Sequence, residues 1–306
     1  MTDNKKIYLK DLKDGNVKTS LMVNKRLYKD GNKMLYILSD KSGYINAKIP
    51  MKLKLEPGQV IEVEGVKDYV LDVFQVKLLE NYDINDYLAS VNRDIDEIME
   101  SIEEISNECI ISPQAKMLDD YFFKNEEFLE KFKRGIGGVS MHHNYIGGLA
   151  EHTLGVMYLT KILCDIYDCR RREIAVLSAK LHDIGKIYEM DFSGPFKYTL
   201  EGELEGHIVI GVEMIDRAIM DLKIPFSEDF IRRVKGCIIQ HHGKLEYGSP
   251  KKANMEESII LNFADNVDAT LNKINQIKEE KENKLADIKF EEKRLGQENP
   301  NSELDN

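Results

Sequence analysis

The 306-residue sequence predicts two joined folds, a small five-stranded β-barrel followed by an all-α domain. Three observations carry that reading. Up to about residue 80 the chain is a succession of short, alternating, β-rich segments. From Asp83 onward the apolar period becomes helical. Every histidine lies in that second part.

The first part is read strand by strand. "VKTSLMVNKRLY", "KMLYILSD", "YINAKI", "QVIEVEGV" and "VFQVKLLE" alternate polar with β-branched, aromatic and other apolar residues, and "KDGN", "DKSG" and "LEPG" are turn signals between them. Five such strands with no helical run between them point to a closed barrel of the oligonucleotide-binding (OB) type. If the first strand runs unbroken, Leu21 and Val23 point inward and Arg26 and Tyr28 outward. On the third strand Ile45, Ala47 and Ile49 point inward, leaving Tyr44 and Lys48 exposed. Arg26, Tyr28, Tyr44 and Lys48 are therefore the candidate contacts to a nucleic-acid strand.

In "DINDYLASVNRDIDEIMESIEEI", Ile95, Ile98, Ile102 and Ile105 recur at three- and four-residue spacing, and everything after them reads as helix and loop. The expected boundaries are a barrel over 1–82, a helical linker over 83–125, an α domain over 126–275 and a charged, partly disordered tail over 276–306.

Composition excludes several classes. Charged residues make up 32% and apolar ones 42%, which is ordinary for a soluble protein. No apolar run approaches the roughly 20 residues of a membrane span. The start "MTDNKKIYLKDLKDG" has no signal-peptide core, so a cytoplasmic protein with no membrane partner is expected. Cys109, Cys164, Cys169 and Cys237 form no CxxC pair, which argues against both a disulfide framework and a thiolate zinc site. The net charge of −11 is unevenly spread: residues 1–85 carry 15 Lys+Arg against 12 Asp+Glu, and the rest 28 against 42. The barrel is thus the part suited to a polyanion.

The histidines are the strongest feature. All seven (142, 143, 152, 182, 207, 241 and 242) lie within 101 residues. His152 sits in "GGLAEHTLGV", His182 and Asp183 in "KLHDIGK", His207 in "LEGHIVIG", His241 and His242 in "IIQHHGKLEYGSP", and Asp265 in "LNFADNVDA". Each lies in or beside an apolar helical stretch, where a polar group is costly unless it ligates or hydrogen-bonds something. Imidazoles with carboxylates and no thiolate suit Mn, Fe, Co or Zn better than the hard cations Ca and Mg. Lys186, one turn beyond Asp183, is placed either to reach a phosphate oxygen or to cap a helix end.

This order of motifs resembles the HD-domain metal-dependent phosphohydrolase superfamily over about residues 135–275. The resemblance implies a first ion held by His152, His182, Asp183 and Asp265, and a second held by Asp183, His207, His241 and His242. Asp183 then bridges two divalent transition-metal ions, Mn²⁺ first, with Co²⁺, Fe²⁺ or Zn²⁺ as alternatives. "GGVSMHHNYIGGLAEHT", "YTLEGELEGHIVIG" and "HHGKLEYGSPKKANMEE" are similar to the bacterial 3′→5′ exoribonucleases that join an N-terminal OB barrel to an HD domain, a likeness spanning roughly residues 7–275. It implies hydrolysis of single-stranded RNA, and of single-stranded DNA as a second substrate, to nucleoside 5′-monophosphates by a metal-bridging hydroxide. Asp183 and Lys186 are the implied catalytic residues, and His142 and His143 the implied substrate contacts at the mouth of the site. Two alternatives stand beside it: an HD nucleotide or cyclic-dinucleotide phosphohydrolase with a regulatory barrel, and a non-enzymatic single-strand-binding factor.

Overall fold

A computed structural model of the chain describes residues 6–139 and 143–297; the side chains of Ile277 and of residues 279–297 are outside that description. Five strands, β1 (Gly15–Asp30), β2 (Lys33–Asp40), β3 (Gly43–Pro50), β4 (Val60–Lys67) and β5 (Leu71–Leu78), close a barrel in the order β1-β2-β3-β5-β4. Closure depends on the length of β1, whose first half pairs with β4 from Gly15 to Met22 while its second half pairs with β2. Leu21, Val23, Leu38, Ala47, Ile49, Ile61, Leu71 and Val73 fill the interior, as period-2 alternation requires.

The register of β1 is not unbroken. It shifts between Val23 and Lys25 and again between Arg26 and Lys29. Because side chains alternate, one extra residue moves everything after it to the opposite face. Lys25 therefore stands opposite Ile37, and Arg26 opposite the buried Tyr36. Lys25 and Arg26 are both exposed, so the outward placement expected for Arg26 holds and Lys25 shares it.

The second part contains α1 (Ile95–Cys109), α2 (Pro113–Phe123), α3 (Glu126–Arg134), α4 (Gly148–Ile166), α5 (Arg172–Leu181), α6 (Lys186–Glu189), α7 (Leu200–Leu204), α8 (Gly206–Leu222), α9 (Glu228–Gln240) and α10 (Glu256–Gln297). Asp94, Ser112, Asn125 and Ser227 start α1, α2, α3 and α9 by accepting backbone N–H bonds at their N-termini. The stretch 83–125 was expected as a linker, but it belongs to this domain's core. Ile98, Ile102 and Ile105 of α1 and Ala115, Leu118 and Phe122 of α2 pack with Leu149, Val156 and Leu177 in one buried cluster. An amphipathic helix needs such a partner to bury its stripe. Of the expected tail, 276–297 continues α10 and residues 298–306 lie outside the described part. Among the described residues no helix is long and apolar enough to cross a membrane.

The α domain is interrupted by one small hairpin, β6 (Met190–Asp191) and β7 (Lys197–Tyr198), whose connection reaches back to the barrel. Met22 and Val60 of the barrel are buried against Tyr87 and Leu88, with Ile146 and Phe196 packed beside them. The connector also pairs with the loop before α4, through Val91 N–H to Ile146 O at 2.8 Å and Ile146 N–H to Ala89 O at 2.9 Å. These contacts fix the barrel against the two loops that flank the histidine cluster.

Candidate metal centre

Helix ends orient the central imidazoles. His182 closes α5 and its Nδ1 lies 2.8 Å from the carbonyl of Ala179; His241 closes α9 and its Nδ1 lies 2.7 Å from the carbonyl of Ile238. Both acceptors are among the last carbonyls of a helix, which lack intrahelical donors. A carbonyl can only accept, so each Nδ1 carries a proton and the ring is turned with its Nε2 toward the cluster. His207, at the start of α8, is held by Glu189, whose Oε1 accepts from its backbone N–H at 3.0 Å and its Nδ1 at 2.9 Å. His152, on α4, has its Nδ1 2.7 Å from Asp268 Oδ2.

All four Nε2 atoms turn toward Asp183. Its Oδ2 is 3.3 Å from His182 Nε2, 3.5 Å from His152 Nε2 and 2.6 Å from Lys186 Nζ. Its Oδ1 is 3.5 Å from His207 Nε2 and 3.7 Å from His241 Nε2. Asp265 Oδ1 approaches His152 Nε2 at 3.2 Å. Three compact groups occur among the described residues, His152 with His182 and Asp183, His207 with His241 and His242, and His143 with His152 and Asp268, each with its potential ligand atoms within 4.8 Å of one another; the first two face Asp183. The adjacent His182 and Asp183 meet within one group, while the other carboxylate oxygen of Asp183 faces the second.

The donor set fits divalent metal ions. Asp183 Oδ1, His207 Nε2, His241 Nε2 and His242 Nδ1 are buried without a hydrogen-bond partner, a penalty of about 1–3 kcal/mol for each such group unless something else satisfies it. Burial opposes ionisation of Asp183, yet Lys186, His182 and His207 outweigh it and hold the carboxyl well below the usual range. Burial, with neighbouring histidines, pushes His241 and His242 down, keeping them neutral as ligation requires. His152 goes the other way. Burial again favours its neutral form, but Asp265 and Asp268 raise it to about 9, so an ion arriving at that nitrogen displaces a proton.

The remaining expected residues fall in three places. Lys186 is buried, bonded to Asp183 and donating to the Gly137 carbonyl at 2.7 Å, so its ammonium lies inside the cage instead of on a helix-end carbonyl. His142 lies outside the described residues. His143, expected at the mouth, is 2% exposed and sits behind His152, its Nε2 3.0 Å from Asp268 Oδ2 and its Nδ1 3.2 Å from Glu151. A positive φ of 52° turns the backbone there.

The barrel residues divide around a cleft of about 780 Å³ between the two folds. Lys25, Tyr44 and Asn46 line it from the barrel, and Val139, Asn144 and Phe196 from the α domain. Tyr44 is 71% exposed there. Arg26 and Tyr28 are exposed and Lys48 is paired with Asp30 at 2.7 Å, and none of the three is among the cleft-lining residues. On the α-domain side the cleft is lined near Gly137, the residue whose carbonyl receives Lys186, by Val139.

Sequence reasoning missed Asp268, Glu189 and Lys25. Asp268 follows Asp265 by three residues and Glu189 follows Lys186 by three, the helical spacing that places pairs on one face, which was the available signal. Nothing local announced the bulge that selects Lys25.

The chain is similar to known proteins. The HD domain family model matches residues 149–270. The 3′-5′ exoribonuclease YhaM of Bacillus subtilis (strain 168) is 32% identical over 251 residues, covering 77% of this chain and 78% of that protein. The protein of the same description from Geobacillus sp. (strain WCH70) is 32% identical over 270 residues, covering 83% and 81%. That of Listeria innocua serovar 6a is 29% identical over 260 residues, covering 79% and 80%.

Proposed function

This chain belongs to the YhaM family of 3′-5′ exoribonucleases, and from that premise we propose that it is a cytoplasmic, metal-dependent hydrolase that shortens single-stranded RNA from the 3′ end, releasing nucleoside 5′-monophosphates. Single-stranded DNA is a second substrate of the same site. The observation that carries the proposal is the division of the Asp183 carboxylate between two sets of buried imidazole nitrogens. His152, His182, Asp183 and Asp265 hold one divalent ion; Asp183, His207, His241 and His242 hold the other. Imidazole with carboxylate ligation suits transition-metal ions better than Ca²⁺ or Mg²⁺; Mn²⁺ is the ion we assign first, with Co²⁺, Fe²⁺ or Zn²⁺ as alternatives. Bound there, such a pair supplies a hydroxide nucleophile at neutral pH and a clamp for the oxygens of an in-line displacement.

The protein's own groups do the rest. Lys186 places a buried ammonium beside the bridging carboxylate, where charge builds up on the phosphoryl oxygens. The cleft leads the strand toward that point. Tyr44 offers a face on which any base stacks, and Lys25 a phosphate contact, a combination that binds single strands with little regard to sequence.

A test of this path uses the intact chain. Tyr44→Ala is expected to lose about 1–3 kcal/mol of affinity for a long single strand, the range for one base–aromatic stack. Lys25→Ala is expected to lower the salt slope by about one. Both variants should hydrolyse a dinucleotide at the wild-type rate. Unchanged binding and degradation of long RNA in both variants would remove the cleft from the substrate path and favour a nucleotide hydrolase with a regulatory barrel.

A further inference from the structure

Two of the four imidazoles around Asp183 differ from the others in what stands behind them. His182 and His241 donate to helix-end carbonyls, whereas His152 donates to the carboxylate of Asp268 and His207 to that of Glu189. One carboxylate-backed histidine falls in each set of ligands. We propose that Asp268 and Glu189 are positioning residues, one for each ion, which fix the imidazole ring and strengthen its Nε2 as a donor. This rests on the two-ion reading above and assigns a separate residue to the control of each ion's affinity.

The surroundings of Asp268 are built for that task. It shares α10 with Asp265 at three-residue spacing, so one helix face presents a carboxylate to each nitrogen of His152: Asp265 to Nε2 at 3.2 Å and Asp268 to Nδ1 at 2.7 Å. Its Oδ2 is also held by His143 Nε2 at 3.0 Å. His143 is anchored in turn by Glu151, by the Tyr145 hydroxyl and by Asn272, whose Oδ1 accepts its backbone N–H at 3.0 Å. Gly155, one turn after His152 on α4, makes the room, since a Cβ there would lie 2.0 Å from Asp268 Oδ1. An ionised carboxylate accepting Nδ1–H raises the basicity of Nε2 more than a neutral carbonyl does, and it pins the tautomer. Glu189 is placed likewise, its Oε1 accepting both the backbone N–H and the Nδ1–H of His207.

The test titrates metal-free protein with Mn²⁺ by calorimetry and with Co²⁺ by absorption. Asp268→Asn is expected to weaken, by about 10- to 100-fold, the binding step that His152→Ala abolishes, and to shift the Co²⁺ band of that step alone. Glu189→Gln is expected to do the same to the step that His207→Ala abolishes. The double variant Asp268→Asn/His152→Ala should lose no more than His152→Ala alone, because a positioning residue acts only through its ligand. Gly155→Ala, which displaces the carboxylate without touching a ligand, should reproduce Asp268→Asn. Wild-type affinity at both steps in Asp268→Asn, or equal weakening of both, would overturn the assignment while leaving the two-ion reading intact. A wild-type protein that takes up neither Mn²⁺ nor Co²⁺ would overturn both.

Discussion

Asp183→Ala is expected to bind neither ion and to lose more than about 10³-fold in turnover on RNA, beyond the effect of removing a single stabilising donor. The reason lies in the division of its oxygens. Oδ2 faces His152 and His182 while Oδ1 faces His207 and His241, so deletion takes an anionic ligand from both sets at once. It also strands the buried Lys186 ammonium, which keeps only the Gly137 carbonyl. Breaking one side of such a buried pair is worth about 3–5 kcal/mol of stability, so the melting temperature should fall as well. Asp183→Asn separates the two effects, since its amide oxygen still accepts from Lys186 while the anion is gone. Elemental analysis should find close to two equivalents of metal in the wild type and almost none in either variant. Retention of one full equivalent would sink the bridging assignment.

Lys186→Ala is expected to lower kcat by about 10²- to 10³-fold, the effect of removing one charge-stabilising donor from an active site, with both equivalents of metal retained. The lysine is not a ligand, and its loss removes a positive charge from beside the site where cations bind. Burial opposes the charged ammonium, but Asp183 holds its pKa above the ordinary value, so it stays charged through the neutral range. A group already fixed in that position stabilises developing negative charge without reorganising. Its bond to Gly137 supplies a competing account, in which Lys186 tethers the loop before α4. That account predicts a raised KM, a lowered melting temperature and a normal kcat. Lys186→Met preserves most of the packing, so a normal kcat in both variants would assign the residue to the tether alone.

Much of this arrangement was legible in the sequence, and the exceptions share a cause. The five strands follow from local alternation, and the histidine and aspartate motifs that cluster around Asp183 stand out in apolar helical stretches, while their division into ligand sets comes from the family resemblance. Groups whose roles depend on distant partners were not legible. That Lys25 and not Arg26 lines the cleft goes with β1 being paired by β2 with two register shifts, a property of two strands together. The isoleucines of α1 showed that one face is buried, but not that α4 covers it, so a core helix read as a linker. His143 stands in "MHHNY" as a loop histidine, and only Asp268, 125 residues on, draws it inside. Gly155 sits inside α4, where glycine is unfavourable, and its reason is a carboxylate arriving from α10. Local propensity announces elements, whereas long-range approach decides which polar groups meet.

The most direct test of the central claim is the product pattern from a single-stranded RNA labelled at its 5′ end and incubated with the purified protein and Mn²⁺. The account predicts a ladder that shortens one nucleotide at a time from the 3′ end, nucleoside 5′-monophosphates as the released product, and no cleavage once a chelator is added. Internal cuts at early times, shortening from the 5′ end, or intact RNA alongside hydrolysed free nucleotides would contradict it.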